Sequence, residues 1–224
     1  MSRGLTVAID GPAGAGKSTV SKAVADALDY RLVDTGAIYR SVALLAQRRN
    51  VSLDDDVALA EIVDKLEIDF AMADGVNRVT VFGEDVTDLI RTPDISRAAS
   101  DVSTRPVVRR GLLELQRRLA GSGGAVLEGR DIGTMVCPEA PLKFFLDADP
   151  EERARRRFEE LKTRGKDTTL EHVMNEMNAR DAQDQGREHA PLKVADDAVV
   201  LDSTALSPTE VVKRIVEAVR QAGG

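Results

Sequence analysis

Gly11-Pro12-Ala13-Gly14-Ala15-Gly16-Lys17-Ser18 is a complete G-x-x-x-x-G-K-[ST] segment, and its flanks decide what it can be. Leu5-Thr-Val-Ala-Ile9 ahead of it is apolar and β-branched, as a buried strand requires. Behind it Val20, Ala23, Val24, Ala27 and Leu28 recur at helical spacing. Strand, glycine-rich loop and helix form the setting in which such a loop cradles phosphate, rather than merely joining two elements. The glycines let backbone N–H groups turn inward. Lys17 then reaches the β- and γ-phosphates, and the Ser18 hydroxyl takes a Mg²⁺ position. The helix adds the positive end of its dipole. Gly11 through Ser18, with Thr19 behind them, are therefore expected to hold a nucleoside triphosphate, with Ser18 as the metal-side residue.

The 224 residues suit one large domain, or a core carrying an inserted subdomain. A chain 42% hydrophobic and 31% charged has a soluble globular composition. No apolar run approaches the roughly 20 residues needed to cross a bilayer. Met1-Ser-Arg-Gly4 leads directly into the first strand, so no signal peptide is expected. The single cysteine, Cys137, excludes an internal disulfide, and two separated histidines cannot build a zinc cluster. Cytoplasmic location is the expectation, with Cys137 a small buried residue. A net charge of −7 argues against broad affinity for nucleic acid. Five Phe, two Tyr and no Trp leave no platform for stacking bases. Neither nucleic acid nor membrane is expected as a partner, and a monomer is expected.

Periodicity organises the rest. Tyr30–Val33 reads as a second strand ending at Asp34-Thr35-Gly36, followed by a helix with Ile38, Val42, Leu45 and Ala46 on one face. Asp54-Asp55-Asp56 reads as an N-cap cluster for a helix carrying Leu59, Ile62, Val63 and Leu66. From residue 67 the pattern alternates instead. Ile68–Met72 and Val79–Val81 flank a turn at Asp74–Asn77, and Gly83–Thr87 offers a third short strand. Such an antiparallel unit is foreign to a parallel sheet, so residues 66–102 read as an insertion. Helices follow over 93–103 and 106–120 before Gly121–Gly124 breaks the chain. Ala125–Leu127, Leu142–Leu146 and Ala198–Leu201 resume the parallel strands, with helices from Pro150, from near Thr169 and from Pro208 to Ala222. The whole is a doubly wound α/β sheet with helices on both faces.

In such sheets ligands bind outside the carboxyl ends of the strands. Those ends carry Asp34, Thr35 and Arg40, then Glu128-Gly-Arg130-Asp131, then Arg180-Asp181 and Asp184-Gln-Gly-Arg187. Guanidinium groups grip phosphate bidentately, so converging arginines suit an acceptor that already bears phosphate. The run from Glu151 to Arg157 has two readings, a solvated helix laced by Glu–Arg pairs or the start of a mobile lid hinged near Gly165. His172 and His189 read as surface or packing residues.

Four segments together resemble the bacterial cytidylate kinases: Gly11-Pro-Ala-Gly-Ala-Gly-Lys-Ser-Thr19, Asp34-Thr-Gly-Ala-Ile-Tyr-Arg40, Gly129-Arg-Asp-Ile-Gly-Thr134 and Arg180-Asp-x-x-Asp184-x-x-Arg187. The likeness runs from the first strand to the last helix and includes the small inserted sheet. It implies ATP-dependent phosphorylation of CMP or dCMP with Mg²⁺. It implies a core over 1–34 and 103–224 with a lid at about 153–168. Residues 35–102 would form the monophosphate-binding subdomain, with its β insertion at about 66–102. Cytosine-reading residues would fall on Ser100, Arg109 and Asp131. The chemistry agrees, since a carboxylate accepts from the cytosine N4 amino group and would leave the uracil O4 unpaired. The resemblance assigns the monophosphate to Arg40, Arg130 and Arg187, and the sugar and transferring group to Arg180 and Asp184. Lys17, Arg130, Arg180 and Arg187 then become the catalytic set, with Asp34 and Thr35 lining the acceptor side. Thr35 stands where many relatives carry serine, which keeps the hydroxyl. Glu128 stands where relatives often carry aspartate, and it is left out of the metal set. Other small P-loop kinases, acting on a different monophosphate, a sugar acid or shikimate, are the nearest alternative. A GTP-binding switch would carry an Asn-Lys-x-Asp element, and none occurs.

Overall fold

Neighbouring residues of the first strand feed two different cores. In the computed structural model, which describes residues 4–163 and 165–223, β1 (Thr6–Asp10) sends Val7 and Ile9 into one apolar cluster and Ala8 into another. This is the period-2 alternation of a strand buried on both faces. Four further strands lie parallel to it: β2 (Arg31–Asp34), β6 (Ala125–Gly129), β7 (Leu142–Asp147) and β8 (Val199–Asp202). They assemble in the order β2-β6-β1-β7-β8. The chain leaves β1 toward one edge and returns across it toward the other, which opens a crevice at the carboxyl end of β1.

Helices cover both faces, as the sequence pattern predicts. α1 (Lys17–Leu28) and α8 (Pro208–Gln221) bury Val20, Val24, Val211, Ile215 and Val219 against Val7, Ile9 and Val126. On the other face lie α2 (Thr35–Arg48), α3 (Asp56–Asp64), α4 (Pro93–Val102) and α5 (Pro106–Ala120), packed around Ala8, Val33 and Leu127. Helix starts follow capping chemistry. Asp55 accepts from the Val57 and Ala58 amides, so one aspartate of the acidic trio caps α3. Ser207 and Glu210 close a reciprocal capping box on α8, with Pro208 at its first position.

The insertion is a three-stranded antiparallel sheet of β3 (Ile68–Ala73), β4 (Val76–Val81) and β5 (Glu84–Asp85). Asp74 and Gly75, both at positive φ, make a two-residue hairpin turn, so Val76 and Asn77 belong to the strand and not to the turn. The third strand contracts to two residues. The run at 198–201 forms β8, parallel to β7 as expected and at the edge of the sheet, with Val199 and Val200 about half exposed (51% and 55%). Cys137 is half-buried against the apolar core, not fully enclosed. α6 (Pro150–Thr163) and α7 (Leu170–Gln185) form a separate helical pair around Ala154, Val173 and Met177. Among the described residues, no helix is long and apolar enough to cross a membrane.

Candidate active site

The phosphate loop follows β1 and is held in place by close backbone approaches. A side chain on Gly11 (φ +148°) would meet the Leu146 carbonyl oxygen at 2.0 Å, and one on Gly14 (φ +74°) the Arg153 carbonyl oxygen at 2.9 Å. Glycine is obligatory at both. Ala13 and Ala15 complete the loop, and Gly16, in the left-handed conformation, opens α1. The buried Lys17 folds over the loop, its Nζ donating to the Gly11 and Pro12 carbonyls at 2.7 and 2.6 Å. Burial drives its pKa well down, with Arg130 adding to the effect. Ser18 Oγ donates to Glu128 Oε1 at 2.9 Å, while Thr19 faces solvent. Glu128 thus joins the donor side despite its omission from the expected metal set. Burial, then the charge of Asp34, pushes its carboxyl up to about 7.

The ends of β2 and β6 bring in the acceptor residues. Asp34 caps α2 through the Ala37 amide and pairs with Arg40 at 2.7 Å. Thr35 is buried, with Oγ1 donating to the Glu128 carbonyl at 2.7 Å. Arg109 of α5 forms a tight ion pair with Asp131, and its guanidinium lies over the Tyr39 ring at 5.6 Å. Ser100 Oγ donates to Gln183 Oε1 at 2.8 Å. The three expected base-reading residues thus lie on elements that meet at one site.

α7 and the loop after it supply the remaining charge. Asp184, nearly inaccessible, accepts from Arg130 Nε at 2.9 Å and from Arg187, which also donates to Ser103 Oγ at 2.7 Å. Arg180 has no ion pair among the described residues. Burial, then repulsion by Arg130, pulls its pKa down to about 10. Among the described residues, six buried side-chain polar atoms have no hydrogen-bond partner, and four of them belong to Arg40, Arg180, Arg187 and Glu128. Leaving such atoms unmet costs about 1–3 kcal/mol each. Their concentration here marks a surface built to meet a ligand.

Residues expected at a lid behave in two ways. Arg153 is buried, donating to the Ala13 and Ala148 carbonyls and paired with Asp181, which in turn accepts from the Ala13 amide. It fastens the phosphate loop to α7. Arg155 and Arg156 pair with Glu152, and Arg157 with Glu160, along α6. Arg155 is exposed, whereas Arg156 and Arg157 are half-buried and Arg156 also donates to the Ser203 carbonyl at 2.6 Å. Arg164, at the expected tip, lies outside the described residues. His172 and His189 are exposed. Sequence reasoning missed Gln183, Ser103 and Asp10 as contributors, and it gave no sign that Arg153 and Asp181 pair with each other. Only Asp10 carried a local signal, as a charged residue ending an apolar strand immediately before Gly11.

Comparisons with known proteins agree with this geometry. Residues 7–221 match the family model described as cytidylate kinase. A cytidylate kinase of Geobacter sulfurreducens is 55% identical over 219 residues, 98% of this chain and 94% of that protein. One from Pasteurella multocida is 43% identical over 221 residues, 99% of this chain and 97% of its own length. Among solved structures, an uncharacterized protein from Eubacterium ventriosum shares the fold with a TM-score of 0.53 and 14% identity, covering 97% of this chain and 98% of its own.

Proposed function

We infer that this chain, which belongs to the cytidylate kinase family, transfers the γ-phosphoryl group of MgATP to CMP or dCMP, giving ADP and CDP or dCDP. The observation that carries the reading is the cluster of partnerless guanidinium nitrogens on Arg40, Arg180 and Arg187, of which Arg180, together with Arg130, lies near enough to Lys17 to depress its pKa. Unmet buried donors beside a phosphate loop suit a second phosphate, and that is an acceptor bearing its own.

The attacking group is an oxygen of the acceptor phosphate, which is largely ionised at neutral pH, so no general base is required. It displaces ADP from the γ-phosphorus in line. Lys17 exchanges its bonds to the loop carbonyls for phosphate oxygens, and the arginines neutralise charge spreading over the equatorial oxygens. Mg²⁺ bound with the triphosphate would neutralise charge on its oxygens, and Ser18 and Glu128 are the residues suited to hold it. The partnerless Glu128 Oε2 is a donor of the hard type this ion prefers. Asp131 and Arg109 face the base with an acceptor and a donor, matching cytosine N4 and O2 or N3. Asp34 and Thr35 line the acceptor side, and Arg40, Arg130 and Arg187 hold the acceptor phosphate. We place the reaction in the cytoplasm and assign it to a monomer, which sedimentation would test.

ADP release measured with CMP, dCMP, UMP, AMP and shikimate tests the reading. CMP and dCMP should exceed the others in kcat/KM by at least about tenfold, a discrimination within reach of one buried hydrogen-bond mismatch. Absence of CMP-dependent turnover would refute it.

A further inference from the structure

Asp131 opens a one-turn π-helix, Ile132–Val136, and its carbonyl accepts from the Met135 and Val136 amides. A residue in that position ordinarily turns its own carboxylate onto the first free amides of the turn. Asp131 does not: its side chain makes no cap hydrogen bond and is given over to Arg109. The amides are satisfied from another strand. Asp10 Oδ1 accepts from the Ile132 amide at 2.9 Å and Oδ2 from the Gly133 amide at 2.8 Å. Asp10 is buried (5% exposed), and its backbone lies directly across from Gly129 in the β1–β6 register. Gly133 is confined as well, since an added Cβ would lie 3.1 Å from the Lys143 side chain and 3.5 Å from Asp10 Oδ2.

We propose that Asp10 is a positioning residue for the acceptor. It caps the Ile132–Val136 turn in place of Asp131, leaving the Asp131 carboxylate free to face the base beside Arg109. The same carboxylate sits one residue ahead of Gly11, whose carbonyl holds Lys17. One buried group therefore ties the phosphate loop to the turn bearing Arg130 and Asp131, fixing donor and acceptor halves in one frame. Without it, Asp131 is the nearest carboxylate able to cap its own turn, and base recognition is what it would give up. The inference rests on the reading of Asp131 as the cytosine-facing group.

The test compares kcat/KM for CMP and for UMP in wild type, Asp10→Ala and Asp10→Asn, with the KM for ATP measured alongside. Asp10→Ala should lower the CMP-to-UMP ratio at least tenfold, with the ATP KM within threefold of wild type. Asp10→Asn, which keeps one carbonyl acceptor, should fall between the two. A role confined to stability would reduce the yield or melting temperature of active protein and leave the ratio where it was. If Asp10→Ala does not fold, a threefold loss of the ratio in Asp10→Asn supports the role. A ratio unchanged within twofold in the folded variants overturns it. A wild type that shows no preference for CMP over UMP would instead overturn the functional reading.

Discussion

Arg130 reaches the cleft with Nε on Asp184 and NH1 turned back to the Gly129 carbonyl. Its remaining nitrogen is the one left for a ligand. Replacing it by alanine removes a charge-assisted contact and leaves Asp184 with one partner fewer. Arg130→Ala should therefore lower kcat/KM for CMP by about 100-fold, corresponding to roughly 3 kcal/mol. Arg130→Lys should recover little of it, because an ammonium cannot serve Asp184 and phosphate with a planar fork. Steady-state kinetics showing a loss of only a few-fold in Arg130→Ala would deny it the phosphate. Asp10 makes a prediction of a different kind. Burial outweighs its two amide bonds and raises its carboxyl from an ordinary 3.8 to about 6, with Asp131 adding to the rise and Lys17 opposing it. The folded protein thus binds the proton more tightly than the unfolded chain. The stabilisation from that proton is complete below about pH 4 and is lost as pH rises through 6. Asp10→Asn has no such dependence. Subtracting the variant's melting temperature from that of wild type cancels the other titrations, and the difference should fall by about 3 °C between pH 5 and pH 7.5. A difference that rises with pH would reverse the sign of this argument.

On α7, Arg180 and Asp184 sit one turn apart, and Arg187 follows just past the helix end. Burial alone would raise the Asp184 carboxyl, but Arg130, Arg187 and Arg180 outweigh it and hold the group below the ordinary carboxylate range. One acid therefore holds Arg130 and Arg187 by direct ion pairs, with Arg180 near enough to act on it through charge alone, before any ligand arrives. Asp184→Asn should destabilise the free protein by about 3 kcal/mol, the usual scale for breaking a buried ion pair from one side. Sulfate should then raise the melting temperature of the variant more than that of wild type, because the anion replaces the missing charge. Equal shifts in both proteins would show that the arginines do not share Asp184. Such partnerships mark the limit of what sequence could disclose. Helices and buried strands were legible because Val20, Val24, Ile215 and Val219 repeat with a helical period and Val7–Ile9 form an apolar run with β-branched residues at both ends. The phosphate loop was legible because all its chemistry lies within eight consecutive residues. Ile132–Val136 gave no such signal: its amides are capped by Asp10 across 122 and 123 positions of chain. Ser100 likewise finds Gln183 over 83 residues. Arg153, in a charge run that reads equally as a solvated face, is buried because Ala13 and Asp181 lie above it. Local pattern cannot carry a contact that only the sheet order creates.

At the scale of the molecule, the central sheet is a wall common to two apolar cores. Val126 and Leu127, adjacent on β6 and both fully buried, face opposite ways, Val126 toward α1 and α8 and Leu127 toward α2 and its neighbours. β6 is also the strand whose end carries Glu128, Arg130 and Asp131, and it pairs with both β1 and β2. Neither core can come apart without releasing a face of the strands that hold the site. Truncating either side chain leaves a cavity that the flanking strands cannot close, because both are fixed by the hydrogen-bond ladder. Leu127→Ala should cost about 3 kcal/mol and Val126→Ala about 2 kcal/mol. If the two cores were independent units, each variant would lower its own transition and leave the other in place. A shared sheet requires otherwise: each should give a single unfolding transition, displaced by about 4–12 °C for a chain of this size. Circular dichroism should follow the same transition as loss of ATP binding. Two resolved transitions in either variant, with only one of them moved, would show that the helices on the two faces fold separately and that the site depends on only one core.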